Sequence, residues 1–114
     1  MKVYLSPLAD YKLTKLLGYI EEEWGKPSKE TFLKELEGKV NQISSQPKSS
    51  PIAEHFNEVH WCIDTPQCSL YYRILKQEIE VITVTDNRQD PHKIIKEIRG
   101  HFESGGSAGA ISGD

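Results

Sequence analysis

Two consecutive apolar stripes at helical spacing, parted by Gly25-Lys26-Pro27, constrain this chain more than any other feature. Leu13, Leu16, Leu17, Ile20 and Trp24 fall on one side of a helix. Ser6 reads as its N-cap and Pro7 as its first helical residue. Gly25 and Pro27 stop it. Ser28 opens a second helix with Glu30 in the favourable first turn. Its apolar side is Phe32, Leu33, Leu36, Val40 and Ile43, and Ser44, Ser45 and Pro47 end it. So short a link predicts an antiparallel hairpin. The hairpin has one apolar face, which needs a sheet to cover it.

The rest of the chain supplies that sheet. Lys2–Leu5 reads as a short strand. After the Ser/Pro-rich loop 44–51, strand-like runs occupy Glu54–Ile63, Cys68–Leu75 and Ile79–Thr85. The polar breaks Asp64-Thr65-Pro66-Gln67 and Lys76-Gln77-Glu78 are short enough for antiparallel hairpins. Ile79, Val81, Ile82 and Val84 leave little polar surface, which marks a central strand. Asp90 caps a last helix with Pro91 first, and Ile94, Ile95, Ile98 and Phe102 form its apolar side. The expectation is an α+β fold, β-α-α-β-β-β-α, with a small antiparallel sheet and helices on one face. Residues 1–103 form this domain. The Gly/Ser-rich segment 104–114 cannot bury enough surface to offset its ordering entropy, and reads as a flexible tail.

Composition limits function. The 114 residues hold 14 Lys and Arg against 17 Asp and Glu, a net charge of −3. From Ser49 to Tyr72 there is no Lys or Arg. Binding nucleic acid through phosphates calls for a concentrated basic surface, and that signal is weak. No apolar run is long enough to span a membrane, and the N-terminus lacks a signal-peptide core, so a cytoplasmic protein is expected. Cys62 and Cys68 flank the turn at 64–67. They either bridge the hairpin or stay reduced and partly buried, and a cytoplasmic setting favours the second. Two cysteines make no four-thiolate metal site, and no metal or cofactor is expected.

Leu5-Ser6-Pro7 leading into a long helix that ends Glu22-Glu23-Trp24-Gly25 resembles the opening of RelE/ParE-type toxins. Leu70-Tyr71-Tyr72-Arg73-Ile74, then Ile79-Glu80-Val81-Ile82-Thr83-Val84, then Asp86-Asn87-Arg88-Gln89-Asp90-Pro91, extend the resemblance to about residue 100. It implies the toxin half of a bacterial type II toxin–antitoxin pair, with growth inhibition and plasmid stabilisation as its consequences. A cognate antitoxin is the implied partner. The implied target is DNA gyrase in the ParE-like branch, or mRNA on the ribosome in the RelE-like branch. An arginine at the position of Arg88 belongs to the active face of the RNA-cutting members. Those members also carry basic residues on the middle strands, where this chain has none between Glu54 and Ile63, and Cys68 stands where an arginine would open the next strand. The helix hairpin, the acidic balance and these missing residues lean towards the gyrase-directed branch. The alternatives are an endoribonuclease with a reduced catalytic set and a non-toxic α+β interaction module.

The candidate site residues follow. Arg88, before a helix N-terminus, either binds an anion or braces its turn through Asp86 and Asp90. His60 is the best-placed general acid–base candidate among His55, His60, His92 and His101, against a plain structural role. Arg73, Tyr72 and Asp90 are candidates for partner or anion binding. Arg73, inside a strand, either reaches such a ligand or pairs across the sheet with a Glu. Tyr71 and Tyr72 point to opposite faces; one is core and the other can stack on a base or a partner side chain.

Overall fold

The computed structural model describes residues 1–53, 56–65, 68–86 and 90–103, with only the backbone of 63–65. The elements are β1 (Lys2–Leu5), α1 (Pro7–Trp24), α2 (Lys26–Ser45), β2 (His60–Thr65), β3 (Cys68–Leu75), β4 (Glu78–Asp86) and α3 (Pro91–Glu103). Their order is the expected one. Segment 104–114 lies outside the described residues.

Ser6 joins the first strand to the first helix. Its Oγ accepts from Ala9 N at 3.0 Å and donates to Ile82 O at 2.6 Å. Its own N–H reaches Val81 O at 2.9 Å. One buried serine thus caps α1 and fixes its start on β4. At the other end Gly25, with φ 89°, closes α1 and opens α2. Its N–H donates to Glu21 O and its carbonyl accepts from Lys29 N, so α2 begins at Lys26 instead of Ser28. Ile20, Phe32 and Ile43 are buried between the hairpin and the sheet, with Leu13, Leu16, Leu17 and Leu36 partly buried around them. Trp24 and Leu33, read as apolar-face residues, are exposed. An 18-residue helix is about 27 Å long, and Trp24 in its last turn packs edge-on against Tyr19.

The strand order is β1-β4-β3-β2. β2, β3 and β4 pair antiparallel, but β1 joins β4 in parallel, so the sheet is mixed. The helix hairpin returns the chain to its starting end, where the Met1 ammonium donates to Ser44 O at 3.0 Å. β2 therefore leaves from the end where β1 began, and two reversals later β4 runs the same way as β1. β2 starts at His60 instead of Glu54, because the stretch before it folds back: Ala53 N donates to Val59 O at 2.6 Å and Ile52 bridges His60. Cys62 faces Leu70 and Cys68 faces Thr65, so the two buried thiols are not direct cross-strand partners.

The helices do not share one face. α1 and α2 cover a core containing Leu70, Tyr72, Ile79, Val81 and Val84. α3 covers the other face, with Ile94 and Ile98 packed near Val59 and Ile82. Between Tyr71↔Thr83 and Tyr72↔Val81 the β3–β4 register shifts. Ile82 is the extra residue of a bulge, which turns both Ile82 and Thr83 towards α3.

Candidate functional site

The α3 face of the sheet carries a polar layer. Glu80, 2% exposed, stands on β4 directly opposite Arg73 on β3. Arg73 Nε donates to Glu80 Oε1 at 2.7 Å. His101 Nε2, from the last turn of α3, lies 3.2 Å from the same oxygen. The Arg73 guanidinium sits 4.9 Å from the centroid of the Phe102 ring. One turn earlier on α3, Glu97 Oε1 accepts from Thr83 Oγ1 at 3.1 Å and from Lys12 Nζ of α1 at 2.6 Å. Two carboxylates therefore fasten α3: Glu80 to the sheet, and Glu97 to the sheet and α1. Tyr4, opposite Glu80 on β1, has its pKa raised by burial first, then by the charges of Glu80 and Glu78, with Arg73 opposing.

Of the two readings of Arg73, the cross-strand pair is the one formed. Tyr72 is fully buried, its hydroxyl donating to Pro47 O at 2.7 Å, and burial is the main cause of its raised pKa. Its ring lies in the core beneath the helix hairpin, so the expected surface contact is corrected. Tyr71 takes the opposite face, against the α3 core, and burial raises its pKa as well. His60 stacks on Tyr72 with ring centroids 5.3 Å apart, and its Nδ1 lies 2.8 Å from Ser50 O. It pins the loop before β2. Since His60 shares a face with Tyr72, it lies across the sheet from His101, and one scissile phosphate cannot sit between them. Asp90 Oδ1 accepts from His92 N at 3.0 Å, capping α3 with its own carboxylate. Arg88, like His55, lies outside the described residues. Among the described residues no group of three or more His, Cys, Asp or Glu is arranged to hold a metal ion, and no helix is long and apolar enough to cross a membrane.

This geometry, a mixed four-stranded sheet with a helix hairpin on one face and a lone helix on the other, agrees with the sequence comparison. The sequence model of a family described as the ParE toxin of the type II toxin-antitoxin system parDE matches residues 3–91. The chain belongs to this ParE toxin family. No curated protein matches it. The matched span runs from β1 through the Asp90-Pro91 start of α3. It includes the Arg73–Glu80 pair and stops before Glu97 and His101.

Residue patterns gave no warning of Glu97 or Lys12, each beside an apolar residue on an amphipathic helix. Glu80 did leave a trace: a lone carboxylate between Ile79 and Val81 in a central strand has to be buried with a cation.

Proposed function

We propose that this ParE-family chain is a toxin held inactive by a cognate antitoxin, and that its target is DNA gyrase. One observation carries the second part. Four described candidates for phosphodiester cleavage are engaged within the fold. Arg73 and His101 meet at Glu80, Lys12 meets Glu97, and His60 meets Ser50 across the sheet. Cleavage by a 2′-oxygen needs a base, an acid and a charge stabiliser converging on one phosphate. The absence of Lys and Arg from Glu54 to Ile63 supports the same reading.

The test assays the purified chain and Arg88→Ala for inhibition of gyrase supercoiling and for cleavage of mRNA. The expected outcome is gyrase inhibition with intact RNA. Site-specific mRNA cleavage, reduced about 100–1,000-fold in a stably folded Arg88→Ala, would overturn it in favour of the endoribonuclease. Antitoxin binding with neither activity would identify a non-toxic interaction module.

A further inference from the structure

One hollow of the molecule combines aromatic walls with carboxylates. It opens between α1 and α2 at the end of β4, with a volume of 540 Å³. Ligand pockets commonly run from about 300 to 1,000 Å³. Its floor is Ile20 and Phe32, both buried. Trp24 and Tyr19 line it, their rings at 90° with centroids 5.6 Å apart. That edge-on contact still leaves Trp24 58% and Tyr19 39% exposed, so ring surface stays open to a ligand. Glu35 of α2 and Asp86 of β4 also line the hollow, and no Lys, Arg or His is among its described residues. Asp86 has contacts of its own within the fold. Glu35 is exposed and forms no ion pair among the described residues. The lysine one turn on, Lys39, donates to Gln42 instead.

We propose that this hollow binds a small organic cation, an ammonium or guanidinium group on a short apolar body. The assignment does not depend on which target the toxin has. Aromatic rings attract a cation through their negative faces, Trp most strongly. The floor of Ile20 and Phe32 takes the apolar body, and the Glu35 carboxylate lies beside the charged end. An anion would meet the carboxylates and the same ring faces with the wrong sign, and a neutral ligand would gain only the apolar contact. The neighbouring hollow holds Lys12, Lys15 and Lys93, but Glu97 and Asp86 stand there too, and Lys12 is paired with Glu97 at 2.6 Å. The two hollows share Leu16, Tyr19 and Asp86, so an aromatic ring and a carboxylate mark the boundary on the lysine side. The volume suits a free small molecule.

The probe is benzyltrimethylammonium, titrated into the isolated chain, with neutral benzyl alcohol and anionic benzoate as matched controls. Binding is read from Trp24 fluorescence in a Trp61→Phe background and from amide NMR shifts. The cation is expected to saturate with a Kd of about 1 mM, shifting the amides of Tyr19, Trp24 and Glu35. Benzyl alcohol and benzoate are expected to bind about 5-fold more weakly or worse. Glu35→Gln should weaken the cation by about 3-fold and leave benzyl alcohol unchanged. Trp24→Leu, followed by NMR, should weaken it by about 10-fold. Glu37→Gln removes an acid that lines a different hollow and should bind like wild type. All variants should keep the melting temperature of the isolated chain. Agmatine should bind more tightly than acetylarginine amide, which carries the same guanidinium on a peptide backbone. Equal affinity for benzyl alcohol and the cation would overturn the proposal and leave a plain apolar hollow. Unchanged cation affinity in both Glu35→Gln and Trp24→Leu would overturn it as well, as would no saturable shift by about 50 mM. Tighter binding of acetylarginine amide would give the site to a protein side chain and overturn the free ligand.

Discussion

Glu80 and Arg73 offer the sharpest test of how α3 is held. Replacing Glu80 by Leu leaves Arg73 and His101 without their common acceptor on a face that α3 covers. Removing one member of a buried pair costs about 3–5 kcal/mol. The Arg73 side chain is 15% exposed and turns partly to water, which places Glu80→Leu near the lower end, about 3 kcal/mol. Arg73→Met strands the carboxylate itself, 2% exposed, and costs about as much or more. The double variant removes both charges and keeps the volume, so it should cost only about 0–2 kcal/mol. The coupling energy is then about 4 kcal/mol or more. Lys29 and Glu21 supply the control. Their 3.0 Å pair is 35% exposed on both sides, and solvent screening leaves it little coupling to lose. Urea unfolding at pH 7 measures all of these without adding salt. Single-variant losses below about 0.5 kcal/mol, or a coupling no larger than that of Lys29 and Glu21, would refute the reasoning and return Arg73 to the pool of ligand-binding residues.

Three other outcomes are expected. Gly25→Ala should cost about 1–3 kcal/mol in urea unfolding, because φ 89° with ψ 173° is a region that only glycine occupies readily. The added Cβ meets Pro27 only at an ordinary 3.6 Å, so this loss reports the backbone and not a clash. Ser6→Ala should cost about 1–2 kcal/mol, since it removes the α1 cap and leaves buried Ile82 O without its side-chain donor, and restoring Thr should recover most of it. Tyr72 has its pKa raised above the ordinary 10.0, so its neutral form is the one the fold favours. Its contribution is complete below about pH 10 and is lost as pH rises through the folded value. Stability measured from pH 8 to 11 should fall at the alkaline end, more gently in Tyr72→Phe, which loses about 1 kcal/mol at pH 7 with its bond to Pro47. A Tyr72→Phe profile as steep as wild type would place the effect elsewhere.

The local pattern alone determined much of this molecule. Ser6-Pro7 and Asp90-Pro91 start helices because a capping oxygen and a fixed φ act within a few residues. Gly25 divides the hairpin for an equally local reason. Ile79 to Val84 mark the central strand because apolar residues on both faces tolerate no solvent. The matched family follows from the same ordered segments. Long-range geometry decided the rest. β1 is parallel to β4 because the hairpin returns the chain to the end where it began, and no periodicity encodes that return. The bulge at Ile82 changes which residues face α3. Tyr72 and Tyr71 alternate as any strand neighbours do, but only the position of the helix hairpin makes Tyr72 the buried one. Trp24 has the phase of a core residue and stands exposed in the last turn of a long helix. Glu80 carries the same lesson: its isolation in an apolar strand demands a partner, while strand register and the path of α3 supply Arg73 from seven residues before it and His101 from 21 residues after it.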